Sequence, residues 1–243
     1  MAVGQIKRYA LNSRFLDEER RFWVYYPAEF DAHKSYPVLY AHDGEDYLTM
    51  GRIRTIMNEL VAKKKLHPLV IVGIPVHKKH RTAEYHPKGE RHQAYTSFIA
   101  EELVPFVETK ELAINASERA TIGSSLGAVV ACQLAWNYPG LFERVISQSG
   151  AFYDASTTAA LQTVRNPQDI HYYLMVGEDE VSVPVSVGTV NFVEHNRAFR
   201  NMLQKLDAPF DYKECPGNHT WGLWQKNLPD ALSYFWNVHP KKL

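Results

Sequence analysis

Short, strongly apolar runs alternate along this chain with segments of helical period. Residues 36–42 and 69–74 are near-continuous apolar runs, the pattern of strands buried on both faces. Residues 119–123, 145–150, 171–177 and 210–215 read as further strands, the last stopped by Pro216-Gly217. Between them, residues 51–65 carry Ile53, Ile56, Met57, Leu60 and Val61 on one helical face. Residues 95–107, 128–136, 189–206 and 223–236 read as helices too, with a kink or an end expected at Pro105. Residues 151–169 are weakly patterned and read as loop plus a short helix. Ahead of this alternation, residues 5–11 and 21–26 read as two strands joined by a polar turn, an antiparallel hairpin ended by Pro27. Alternating strands and helices from Val38 onward predict a mostly parallel central sheet with helices on both faces. No internal repeat and no Pro/Gly/Ser linker divides the chain, so residues 1–243 are expected to form a single α/β domain without a separate lid.

One junction in this pattern carries chemistry. Ile122-Gly123-Ser124-Ser125-Leu126-Gly127 reads G-x-S-x-G, between a predicted strand and a predicted helix. That context makes Ser125 a candidate nucleophile on a sharp strand-to-helix turn. The turn strains the serine backbone, and small residues two positions either side, Gly123 and Gly127, relieve the clashes. The helix that follows points its first N–H groups at a developing oxyanion.

A serine hydroxyl needs a general base, and the base an orienting carboxylate. Behind such an elbow the chain order is serine, acid, histidine. Open α/β sheets gather functional groups at the carboxyl ends of their strands. His219 lies between the last predicted strand and the last helix, and is the candidate base; His239 falls in the tail. After residues 171–177 come Glu178, Asp179 and Glu180. Spacing favours Glu180 as the acid, with Asp179 the fallback. The oxyanion donors are expected to be the backbone N–H of Leu126 and, from the segment Asp43-Gly44-Glu45-Asp46, that of Glu45.

Composition narrows the partners. The 243 residues hold 27 Lys plus Arg against 27 Asp plus Glu, a formal net charge of zero. This argues against nucleic acid or an anionic membrane surface as a general partner. Two distant cysteines, Cys132 and Cys215, make a disulfide framework unexpected. With no secretory h-region at the start and no apolar run long enough for a bilayer, a cytoplasmic location is the expectation. The segment 77–86 is basic and rich in histidine. Lys78, Lys79 and Arg81 would repel a cation, so His77, His80, His86 and His92 are not expected to hold a metal, and no cofactor is called for. Arg81 is instead a candidate for meeting an anionic substrate. Trp221 and Trp224, directly after the base, are candidates for lining an acyl or aromatic pocket, or equally for the core.

These residues together resemble a known family. Leu39 to Gly44, Arg81 to Tyr85, Arg119 to Gly127, Tyr138 to Phe142, Ser147 to Phe152 and Gly217 to Trp224 are similar to segments of an esterase family of the α/β-hydrolase superfamily. Enterochelin, feruloyl and acetyl-xylan esterases, S-formylglutathione hydrolases and mycolyltransferases belong to it. The last segment looks most like single-domain enterochelin-esterase-like members. Asn218 stands where the family carries a second glycine before the histidine, and Ala128 where it carries a second one after the elbow. The resemblance implies an α/β-hydrolase fold and a serine esterase working through an acyl-enzyme on small to medium acyl esters. Hydrolysis of a siderophore trilactone and acyl transfer to an alcohol are the alternatives. A non-catalytic binding protein on the same fold is argued against by the intact set of candidate residues. The partner expected is a small-molecule ester; whether the chain forms a homo-oligomer is left open.

Overall fold

The computed structural model describes residues 3–110, 112 and 114–238. Its centre is an eight-stranded sheet in the order β1-β2-β4-β3-β5-β6-β7-β10. β1 (Gln5–Ser13) and β2 (Glu18–Tyr26) form the antiparallel hairpin expected from the sequence, and β2 runs antiparallel to β4 (Val70–Ile74). From there β3 (Tyr36–His42), β5 (Ala116–Ser124), β6 (Arg144–Gln148), β7 (His171–Gly177) and β10 (Phe210–Cys215) are parallel, each to its neighbour. This is the α/β-hydrolase architecture that the alternation of elements implies.

Alternate residues of the central strands feed two separate cores, because successive side chains point to opposite faces. Val38 and Tyr40, with Val70 and Val72, join one core; Leu39 and Ala41, with Ile71 and Ile122, join the other. The first is covered by α4 (His92–Ser97) and its continuation, by α5 (Leu126–Asn137) and by α7 (Phe192–Lys205). The second is covered by α1 (Gly44–Thr49), α2 (Ile53–Ala62) and α8 (Trp221–Trp236). Eleven of the 12 residues of α5 are buried, so its sequence is apolar all round rather than striped. Cys132 lies on it, fully buried, and burial pushes its thiol up; both cysteines are free.

Local differences from the sequence reading cluster around the carboxyl end of the sheet. The helix expected over 51–65 is α2, Ile53–Ala62, and a separate helix, α1, precedes it at Gly44–Thr49. The two are parted where Arg52 takes a left-handed conformation, φ 50°. The segment expected to be a loop after β3 is thereby the first turn of α1. Within the basic stretch, α3 (Arg81–Tyr85) folds as a short helix. The helix expected over 95–107 begins at His92 and passes into π-helical turns at Phe98–Leu103 and Phe106–Lys110, which accommodate Pro105 between them. The loop after β6 holds a single short α-helix, α6 (Ser156–Ala159). The helix expected over 189–206 starts at Phe192, capped by the Asn191 side chain accepting the Glu194 N–H. Residues ahead of it form a small hairpin, β8 (Val183–Val185) with β9 (Gly188–Val190). No helix among the described residues is long and apolar enough to cross a membrane.

Candidate active site

Ser125 sits between β5 and α5 with φ 54° and ψ −121°, a backbone region that L-residues rarely occupy. Three backbone hydrogen bonds hold it there. Its N–H donates to the Gln148 carbonyl at 2.9 Å, and its carbonyl accepts the N–H groups of Ala128 and Ala151, each at 3.1 Å. Of the flanking glycines, Gly123 is required by space. A Cβ on Gly123 would lie 2.1 Å from the Gly127 carbonyl carbon, backbone that has nowhere to go.

The three residues that spacing singled out converge. The Ser125 hydroxyl lies 3.0 Å from His219 Nε2, and His219 Nδ1 lies 2.6 Å from Glu180 Oε2. Glu180 is fully buried, at 0% exposure, and accepts three hydrogen bonds: from His219, from the Gly177 N–H at 2.8 Å and from the Ser149 hydroxyl at 2.6 Å. An acceptor-only carboxylate opposite Nδ1 places the ring proton on that nitrogen. Nε2 is then left with its lone pair toward Ser125. The His219 ring is held on two sides, by Phe192 at 4.3 Å between centroids and by Trp224, edge-on at 5.0 Å. Glu178 and Asp179 are exposed, and the Asp179 N–H donates to the Gly217 carbonyl. His239, the other histidine considered, lies outside the described residues.

Two helix N-termini meet at the elbow. Asp43, φ 54°, turns the chain from β3 into α1, and Gly44 packs so closely that a Cβ there would come within 2.3 Å of the Ile74 nitrogen. The Asp43 carboxylate takes both Arg81 Nε, at 2.8 Å, and an Arg81 terminal nitrogen, at 2.7 Å. The Asp43 N–H donates to the Tyr85 hydroxyl, while the Arg81 guanidinium lies over the Tyr85 ring. A Cβ on Gly127 would stand 3.0 Å from Asp43 Oδ2, so the start of α1 lies against the start of α5. The backbone of Leu126 opens α5 and that of Glu45 is the second residue of α1. The Glu45 side chain turns outward to Arg8, which holds its carboxyl below the usual range.

The basic segment is only partly a charged surface. Arg81 spends one edge of its fork on Asp43 and is 30% exposed; a terminal nitrogen also reaches the Ser124 carbonyl at 3.4 Å. Glu84, on the same short helix, is buried against Arg20 of β2. His86 and Lys88 reach Asp154, and His92 is buried with Nδ1 on the Glu84 carbonyl. The two tryptophans part company. Trp221 is half-buried, edge-on to Tyr47 at 5.0 Å. Trp224 is 5% exposed, and its indole N–H donates to the Ser149 hydroxyl at 2.8 Å, behind the histidine.

Three contributors were not singled out from sequence. Asp43 lies at the carboxyl end of β3 and Ser149 just past that of β6, where open sheets concentrate function, so position could have marked both. Phe192 gave no signal, because its place depends on the unforeseen hairpin. The excursion from Val181 to Asn191 leaves and returns at the acid: the Phe192 N–H donates to the Glu180 carbonyl at 2.9 Å.

Comparison with known proteins bears on the family and the fold. A family model described as "Putative esterase" matches residues 13–235. The uncharacterized protein YjcH of Bacillus subtilis (strain 168) is 33% identical over 232 residues, covering 94% of this chain and 96% of its own. An IroE-like serine hydrolase from Shewanella oneidensis superposes with a TM-score of 0.79 at 20% identity, over 96% of this chain and 80% of that one. The enterobactin esterase FES from Shigella flexneri, solved in the presence of enterobactin, gives 0.77 at 20% identity, over 94% of this chain and 58% of that one. At these identities the structural likenesses are likenesses of fold.

Proposed function

We propose that this chain, which belongs to the esterase family and is a hydrolase of the esterase type, is a serine carboxylic-ester hydrolase acting through Ser125, His219 and Glu180. The observation that carries the reading is the unbroken chain Ser125 Oγ, His219 Nε2, His219 Nδ1, Glu180 Oε2, with links of 3.0 and 2.6 Å, set on a strained elbow. His219 takes the hydroxyl proton as Ser125 attacks the ester carbonyl. The backbone N–H groups of Leu126 and Glu45 receive the oxyanion of the tetrahedral intermediate. His219 then gives its proton to the departing alcohol, leaving an acyl-Ser125. Water, deprotonated by the same ring, attacks the acyl carbonyl and releases the acid with the serine restored. Arg81 and Trp221 remain the candidates for contact with the substrate, and a small-molecule ester is the proposed partner. Trp224 acts from behind the histidine.

The test is kcat/KM of the purified protein, with Ser125→Ala as blank, on four esters. These are a short-chain p-nitrophenyl ester, a longer-chain one, a feruloyl sugar ester and a catechol trilactone. Hydrolysis of at least one above the blank supports the reading, and none above it defeats it. The trilactone is included because FES was solved with enterobactin and because Arg81 is part-exposed beside the elbow. A strong preference for it would make the enzyme a siderophore hydrolase, the second reading. Adding an alcohol acceptor and analysing products separates hydrolysis from acyl transfer, since both pass through the same acyl-enzyme.

The elbow geometry makes its own prediction. Gly123→Ala forces backbone apart at the nucleophile, and displacing a reacting group by about 1 Å costs on the order of 100-fold. kcat/KM is expected to fall by at least about that factor, with a lower thermal unfolding midpoint. An alanine enzyme within about threefold of wild type would show that the elbow does not depend on this contact.

A further inference from the structure

We infer that Ser149 is a positioning residue for this reaction: its hydroxyl, oriented by the Trp224 indole, locks the Glu180 carboxylate so that Oε2 alone faces His219. The inference rests on the reading of Ser125, His219 and Glu180 as the reacting chain.

The hydrogen bonds leave the hydroxyl a single arrangement. Ser149 is fully buried, at 0% exposure. The Trp224 indole N–H lies 2.8 Å from Ser149 Oγ, and an indole nitrogen can only donate. The single hydroxyl proton of Ser149 is therefore free for its other close polar neighbour, Glu180 Oε1 at 2.6 Å. The Met175 sulfur, at 4.0 Å, is a weak competitor. Glu180 Oε1 also receives the Gly177 N–H at 2.8 Å. With two donors on Oε1, turning the carboxylate would break two buried hydrogen bonds at once, an expensive loss where no water replaces them. The second oxygen stays on His219 Nδ1. Trp224 works twice, fixing the acid through Ser149 and flanking the base with its ring at 5.0 Å.

The backbone at Ser149 points the same way. Its φ is 49°, in the left-handed region where glycine is the economical choice. A glycine there would hold the same turn at lower cost. The chain instead holds a serine in a strained conformation and directs its hydroxyl onto the acid. Strain of this kind is retained where surrounding structure and function over-determine the position.

That strain gives the test its discrimination. Ser149→Gly relieves the backbone while removing the CH₂OH side chain, whereas Ser149→Ala removes the hydroxyl and keeps the strain, so stability and catalysis should part. Against p-nitrophenyl ester hydrolysis, kcat of Ser149→Gly is expected to fall roughly 10- to 100-fold, the worth of a hydrogen bond to a charged group, with KM within about twofold. Its thermal midpoint should be no lower than that of Ser149→Ala. Trp224→Phe, which keeps an aromatic ring and loses the N–H, should lower kcat in the same direction by a smaller factor. The rate of fluorophosphonate labelling at Ser125 should fall with kcat. In a Glu180→Gln background, Ser149→Gly should cost no more than about twofold further, because both changes act through one carboxylate. A Ser149→Gly enzyme with wild-type kcat beside an inactive Ser125→Ala overturns the inference and leaves the reading of the reacting chain standing. Full additivity with Glu180→Gln overturns it as well. An active Ser125→Ala enzyme removes both.

Discussion

Ser125→Ala is expected to lower kcat/KM by about 10⁴- to 10⁶-fold with no loss of stability. Both halves of that expectation come from geometry. The substitution removes one atom whose hydrogen bond is to His219 Nε2. The bonds that fix the strained turn, to Gln148, Ala128 and Ala151, are all made by backbone and persist. Alanine and serine bear the φ of 54° at similar cost, so the elbow keeps its shape. What is lost is the covalent route itself. The oxyanion donors and the bound histidine remain, and such remnants still speed reaction over water by roughly 10³ to 10⁴. The decrease is therefore large but finite. Steady-state rates on the best of the four esters, with circular dichroism and thermal melts as controls, check both halves. A decrease smaller than about tenfold with an intact fold would remove Ser125 from the mechanism.

The parts of this site that could be read from sequence are those where chemistry and local structure are written in the same few residues. Gly123, Ser125 and Gly127 are such a case, since the turn needs the glycines and the reaction needs the serine. β7 could be read because an apolar run stopped by a polar segment defines a buried strand end, and the half-buried edge strand β10 because Pro216-Gly217 stops it; Glu180 and His219 follow those ends. Where a residue's place depends on distant packing, sequence was silent. The left-handed turns at Asp43 and Arg52, with φ of 54° and 50°, occur at residues that carry no glycine signal. They start a helix, α1, on the oxyanion segment that read as loop, and part it from α2. The alternating valines at 181, 183, 185 and 187 point to a strand, yet the helical pattern beginning near Thr189 masked the hairpin. That displaced the start of α7 and hid Phe192, the ring against the base. Arg81 reads as surface charge because nothing local announces Asp43, 38 residues earlier, as its partner. Trp224 divides evenly between pocket and core until its N–H is seen on Ser149.

Glu180→Gln should be the next most damaging change, lowering kcat by about 10³- to 10⁴-fold, less than the loss of Ser125. The reason lies in which atoms face which. Ser149 and Gly177 both present donors to Oε1, so the glutamine oxygen settles there and keeps those two bonds. The amide NH₂ is then turned toward His219 Nδ1, where the carboxylate oxygen had been. Two donors cannot face each other in a buried site. The ring must give up the Nδ1 proton and carry its hydrogen on Nε2, the nitrogen 3.0 Å from Ser125. In that tautomer the histidine has no lone pair for the serine proton, and the imidazolium formed in the reaction has no counter-charge. The fold should survive, because volume and the two Oε1 bonds are conserved. Asp179→Ala is the matched control. Asp179 is exposed, and its backbone N–H, which alanine keeps, is engaged by the Gly217 carbonyl, so kcat is expected within about twofold of wild type. If Asp179→Ala proved the more damaging of the two, the acid would have to be reassigned. If both were harmless, His219 would be acting on Ser125 without an orienting carboxylate, and the buried Glu180 would be there for the fold alone.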